Sequence, residues 1–293
     1  MISIVIPAHN EAAVIHRTLH TLLDGARPGE FEVLVVPNGC TDDTAEVARG
    51  FGPEVRVIEL ERGSKPLALN TGDAEAAGFP RFFIDADIRV SAASVRAVAT
   101  VLKGGEALAA APALRIDTSG ASLAVRMYYA IWTRLPYVTD AMIGSGVYAV
   151  SESGRGRFQK FPDIIGDDAF IRMLFDVGER ASVSRDGRGD PVEFVVAPPR
   201  GLRSLVHIEV RRRASHDEMV ELFGDRAISQ GASQKAALRR MFARPWLWPA
   251  LAVYVYVKLE SRRRYTAKKS KGTHKVWNRD NSSRHPASRE GSS

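Results

Sequence analysis

The chain has 293 residues, 45% hydrophobic and 26% charged, enough to bury a substantial core and ordinary for a soluble globular protein. A single cysteine, Cys40, excludes an internal disulfide framework, and Met1–Pro7 shows no basic stretch leading into a cleavable apolar run, so secretion is not expected. The formal charge of +7 is not spread evenly: Lys258 to Ser293 holds eleven Lys/Arg against three Asp/Glu (+8), leaving thirty against thirty-one (−1) elsewhere. A neutral body with a basic tail points to an anionic surface.

The first hundred residues alternate strand and helix with short connections, the pattern of βαβ units around a mainly parallel sheet. Strands are predicted at Ile2–Ile6, Glu32–Val36, Val55–Leu60, Arg81–Ile84 and Ala107–Pro112, the first two stopped by Pro7 and Pro37. Helices are predicted from Glu11 to Leu23, from a Thr41 cap to Arg49, from Pro66 to Ala77, and from a Ser91 cap to Lys103.

Beyond residue 115 the alternation weakens. Helices are expected at Ala121–Leu135, from Asp167 onward, and at Leu202–Phe223, and strands at Ile143–Ser151 and Val192–Ala197. Trp246–Val257 is an uncharged, mostly apolar run. As a helix it spans roughly 18 Å, short of the ~30 Å needed to cross a bilayer. Its Trp and Tyr residues, flanked by Arg and Lys, suit a peripheral membrane contact through 246–265; packing on the body as ordinary core is the competing expectation. The chain thus divides into 1–115, 116–223, a helical 224–265 and a basic, disordered 266–293. Trp277 is the one aromatic after Tyr265, so the tail lacks the stacking platform of single-strand binders and no nucleic acid partner is expected.

Four polar stretches follow successive strands: Pro7-Ala8-His9-Asn10-Glu11, Pro37 to Asp42, Arg62 to Lys65, and Asp85-Ala86-Asp87. Loops after parallel strands converge on one edge of an open sheet, where ligands bind. Asn38 could hydrogen-bond a base there, Lys65 could meet a phosphate, and Asp85 and Asp87 could form half a site for a hard cation such as Mg2+ or Mn2+, whose remaining ligands are substrate phosphates. Taken alone, Asp-x-Asp after a strand is also a polar turn or a helix cap.

With Ser3 to Glu11, Asn38 to Thr44, Lys65 to Gly72 and Asp85-Ala86-Asp87 in this order, the chain resembles the family 2 glycosyltransferases, inverting enzymes of the GT-A fold. The resemblance is close over 1–115 and loose to about 215. It implies a Rossmann-like, mainly parallel sheet flanked by helices, with a C-terminal helical extension. It also implies a nucleotide-diphospho-sugar donor (UDP, GDP or dTDP) held through a divalent metal, with Asp87 as direct ligand and Asp85 on the ribose, the sugar or a metal-bound water. The family's acidic pair opening a helix matches Asp167 and Asp168, which makes Asp168 the base and Asp167 its neighbour.

Two departures qualify that picture. Relatives often carry two aspartates where this chain has Pro37 and Asn38, so a uridine donor is not assured. Processive members carry Gln-x-x-Arg-Trp where this chain reads Glu209-Val210-Arg211-Arg212-Arg213, which implies single-residue transfer. Arg200, Arg203 and Arg212 could meet the diphosphate or an anionic acceptor, or form a solvated basic face. His207 or His216 could add a metal ligand. The leading expectation is a cytoplasmic enzyme at the inner face of the plasma membrane, acting on a lipid-linked or envelope glycan. A sugar-1-phosphate nucleotidyltransferase would want a glycine-rich loop after strand one. A non-catalytic scaffold would not need the acids at 85, 87 and 168.

Overall fold

A computed structural model describes residues 1–139, 144–224 and 236–270. In chain order its elements begin β1 (Ile2–Ala8), α1 (Ala12–Leu23), β2 (Phe31–Pro37), α2 (Thr44–Arg49), β3 (Val55–Val57), α3 (Lys65–Glu75), β4 (Arg81–Ile84), β5 (Arg89–Val90), α4 (Ala92–Lys103) and β6 (Ala109–Ile116). There follow α5 (Leu123–Trp132), α6 (Pro136–Thr139), β7 (Val147–Val150), α7 (Glu152–Arg155), α8 (Asp167–Leu174), β8 (Arg180–Val183), β9 (Glu193–Val196), α9 (Leu202–Phe223) and α10 (Trp248–Ser270).

The strands form one curled sheet in the order β3-β2-β1-β4-β7-β6-β9-β5, with β8 also paired to β6. The first four are parallel, and β7 then runs antiparallel between β4 and β6. Alternation within the central strands sorts their side chains onto two faces. Ile4, Ile6, Phe82 and Ile84 meet Ile15, Leu19, Leu22, Val95 and Val98 from α1 and α4. Val5, Leu34, Val36 and Phe83 meet Leu69, Tyr148, Phe170 and Phe175 on the side of α3 and α8. A third apolar cluster joins α5, α9 and α10 through Tyr128, Trp132, Leu205, Leu251, Tyr254 and Val257.

The expected α/β architecture holds, with corrections at element ends. The first two strands run on through Pro7 and Pro37, because both prolines lie beyond the last register pairs with β4 and β3 (Val5↔Phe83 and Val35↔Val57), where a residue without an N–H is tolerated. The third strand ends at Val57, and Leu60 makes only an isolated bridge to Asn38. Helix α2 starts at Thr44 with Asp43 rather than Thr41 at its cap position, behind a turn in which the Thr44 amide donates to Asp42 Oδ1 at 3.2 Å. The fifth predicted strand reaches Ile116, since β9 pairs in parallel with Ala113–Ile116.

Candidate active site

The sheet ends its central strand β4 at Ile84, and the chain turns so that the Asp85 amide donates to Gly146 O at 2.8 Å while Ile88 N returns to Asp85 O at 3.1 Å. Ala86 is buried, with its carbonyl accepting from Thr18 Oγ1 of α1 at 2.8 Å. The Asp-Ala-Asp segment is therefore clamped by its middle residue, with Asp85 and Asp87 half-buried on either side.

Lys65 opens α3 behind a Ser64 cap. Its Nζ lies 2.6 Å from Asp85 Oδ1 and 2.8 Å from Asp167 Oδ1. One ammonium thus ties the strand-tip acid to the acidic pair that opens α8. Burial pulls the Lys65 ammonium down, but Asp167 and Asp85 outweigh it and hold it charged, above the ordinary lysine value. Burial pushes the Asp85 carboxyl up to about 6; Lys65 opposes that rise, and Asp167 and Asp87 add to it. Asp167 is buried and its Oδ2 accepts from Tyr148 OH at 2.9 Å. Burial and that acid push the Tyr148 phenol well up, so it stays a neutral donor.

Asp168 accepts from Ser145 N at 2.8 Å through Oδ2 and from Ala169 N at 2.7 Å through Oδ1. The turn Gly144-Ser145-Gly146 therefore touches both halves of the site. A Cβ on Gly144 (φ +131°) would come 3.0 Å from Asp168 Oδ2, and one on Gly146 (φ +95°) 3.0 Å from Asp85 Oδ2. Glycine is required there for conformation and for room. The approach of this turn to both acids is visible only in the fold. The expected strand start at Ile143 lies outside the described residues.

The loops after β1 and β2 are stitched to one another. Asn38 is 3% exposed; its Nδ2 donates to Ala8 O at 2.8 Å and Val36 O at 3.3 Å, and its Oδ1 accepts from Ser64 N at 3.0 Å. The side chain expected to read a base is turned inward as a brace between three loops. Asn10 (φ +53°) accepts from Thr41 N at 2.7 Å, and the buried Glu11 donates its amide to Thr44 Oγ1 at 2.7 Å. Pro7 and Ala8, expected to touch the donor, are buried in the strand, and Ala8 O already accepts from both Asn38 N and Asn38 Nδ2 at 2.8 Å.

Among the described residues no group of three or more His, Cys, Asp or Glu side chains is placed to hold a metal. His216 is exposed on α9 and joins no such group with Asp85 and Asp87. The carboxylates at 85 and 87 still fit a hard cation that completes its shell with ligand phosphates. Arg203 is exposed and Arg200 half-buried, while Arg212 is tied to Glu209 at 2.7 Å with its guanidinium 4.7 Å from the Trp132 ring centroid. One turn after Asp168 on α8, Arg172 donates to Tyr137 O at 2.8 Å and covers its ring at 4.4 Å. Tyr137, on the short α6, was not singled out by the sequence; Arg172 ties it to α8.

Residues 3–160, more than half of the chain, match Glycosyl transferase family 2. The chain belongs to that family. Its curated relatives include glycosyltransferase AglE of Haloferax volcanii, 36% identical over 92 residues (29% of this chain, 30% of the relative). Another is the 4,4'-diaponeurosporenoate glycosyltransferase of Staphylococcus aureus, 35% identical over 91 residues (30% of this chain, 24% of the relative). The matched stretch spans less than a third of these relatives' own length. Among solved structures, a mannosyltransferase from Pyrobaculum calidifontis in complex with GDP-Man and Mn2+ superimposes with a TM-score of 0.64 at 18% identity, covering 92% of this chain and 87% of that one. Glucosyl-3-phosphoglycerate synthase of Mycobacterium tuberculosis in complex with Mn2+, UDP and glucosyl-3-phosphoglycerate gives 0.52 at 22% identity, covering 75% and 78%. The fold of this family 2 chain is the GT-A fold of those enzymes.

Proposed function

We propose that the chain is a non-processive, inverting glycosyltransferase that moves a sugar from a nucleotide-diphospho-sugar to a hydroxyl of a lipid-linked or envelope-polysaccharide acceptor at the inner face of the plasma membrane. The observation that carries this reading is the Lys65 bridge from Asp85 to Asp167, since it brings the strand-tip acids and the α8 acids to one place. Solved relatives of the same fold bind GDP-Man or UDP together with Mn2+, which supports a nucleotide-sugar donor and a divalent ion.

Asp87, with Asp85 beside it, would hold Mg2+ or Mn2+. That ion would supply neutralisation of the leaving diphosphate. Lys65 fixes Asp85 and Asp167 in one orientation and keeps a positive charge beside the diphosphate's position. The Ser145 amide and the helix start hold Asp168 so that a remaining lone pair can take the acceptor hydroxyl's proton as the oxygen attacks the anomeric carbon from the side opposite the leaving group. Inverting transfer requires no second carboxylic acid.

The test is a thermal-shift panel of UDP, GDP, dTDP and CMP at pH 7.5, where Asp85 is ionised, with and without Mn2+. One nucleotide is expected to raise the melting temperature by several degrees, ~5 °C near saturation, and only with the metal. No shift with any nucleotide in the presence of Mn2+ would overturn the reading.

A further inference from the structure

Helix α10 has two differently built faces. Ala250, Leu251, Tyr254, Val257, Ser261 and Tyr265 are buried against the body, so the helix is a fixed part of the fold. The opposite face is apolar and uncovered for its first three turns. Of eleven large hydrophobic residues exposed among the described ones, six fall between 242 and 259. They are Phe242 (66% exposed), Trp246 (74%), Trp248 (52%), Val255 (49%), Tyr256 (53%) and Leu259 (62%). Trp248, Val255 and Leu259 recur at helical spacing along one line. Phe242 is joined to that line by stacking on Trp248, ring centroids 5.7 Å apart, with Trp248 Nε1 donating to Phe242 O at 2.9 Å.

Cations frame this strip. Arg239, Arg240 and Arg244 are exposed at one end, Arg262 and Arg263 at the other. The residues after Ser270 add five Lys/Arg against two Asp/Glu. Among the described residues no helix is long and apolar enough to cross a membrane. An in-plane strip of Trp, Tyr and aliphatic side chains ~17 Å long, with arginines at both ends, matches the boundary between headgroups and acyl chains of an anionic leaflet. A second copy fits less well, because a two-fold contact through this strip would bring the arginine clusters of the two copies together.

We propose that the outward face of α10, with Phe242 and Trp246, is the surface by which the protein seats itself on an anionic bilayer. Half of the competing core expectation also holds, since the run packs inward through one face and leaves the other for lipid. The inference deepens the transferase reading by naming what presents the acceptor, and its test needs no turnover.

The experiment is co-sedimentation of the full chain with vesicles of neutral phosphatidylcholine or with added phosphatidylglycerol. Wild type is expected to pellet with the anionic vesicles and to be released by high salt. Trp246→Ser/Tyr256→Ser/Leu259→Ser changes only exposed side chains, so its melting temperature and nucleotide binding should match wild type while its pelleted fraction falls at least about tenfold. Arg244→Glu/Arg262→Glu leaves the apolar strip intact and should remove the preference for anionic lipid. Wild type remaining in the supernatant, equal pelleting of the triple variant, or a wild-type dimer that the triple variant dissociates would each overturn the proposal. Pelleting by a chain that binds no nucleotide would uphold this surface and remove only the transferase reading.

Discussion

Asn38 has both amide hydrogens and one lone pair of its oxygen engaged within the loop cluster. Its role is to hold the ends of β1 and β2 against the start of α3, and so to place Lys65. Asn38→Asp would turn a carboxylate toward two carbonyl oxygens in a buried site. It should cost about 1–3 kcal/mol, read as a lower urea midpoint. Unchanged stability with an altered preference among nucleotide bases would show instead that the side chain faces the donor. Lys65, Asp85 and Asp87 were legible as candidates because loops after parallel strands collect polar side chains at one sheet edge, whereas Asp167 and Asp168 came only from the family resemblance. The partners of these side chains were not legible. That Lys65 lies between two acids rather than alone, and that Asn38 is satisfied internally, depends on loops brought together by tertiary packing.

At the scale of elements, Glu209 of α9 joins the last two long helices. It is 1% exposed, pairs with Arg212 at 2.7 Å, and also accepts from Lys258 of α10. Burial pushes its carboxyl up, but Lys258 and Arg212 more than offset this and hold it at about 2. A depressed carboxylate contributes stability that is complete above its ordinary value near 4.5 and lost as pH falls toward 2, about 3 kcal/mol at most. Lys258→Met leaves a buried carboxylate with one partner fewer. It should lower the urea midpoint at pH 7 by the equivalent of about 3 kcal/mol and flatten the fall in stability between pH 7 and pH 3. A variant with wild-type stability and the same pH slope would show that the helices are held by apolar packing alone. Periodicity alone gave α9 its ends. Helix α10 runs five residues past the expected helical end at 265, to Ser270, through a last stretch with no buried side chain to mark it. Strand β5, two residues long, carries no periodic signal at all.

At the scale of the molecule, the parallel half of the sheet and the antiparallel β7 meet beside β4. The seam between them holds the candidate site: Asp85 directly follows β4, the Gly144–Gly146 turn leads into β7, and Asp168 accepts from that turn. The α/β alternation of the first hundred residues exposed the parallel half, whereas the seam depends on pairings between strands far apart in the chain. The proposed chemistry divides labour between Asp87, on the metal, and Asp168, on the acceptor hydroxyl. Calorimetric titration of the donor selected by the nucleotide panel, with Mn2+, alongside single-turnover donor consumption, tests that division directly. Asp168→Asn should bind donor within about threefold of wild type while turnover falls roughly 10²–10⁴-fold, and Asp87→Asn should lose the Mn2+-dependent binding itself. Near wild-type turnover by Asp168→Asn, or undiminished metal-dependent binding by Asp87→Asn, would contradict the account.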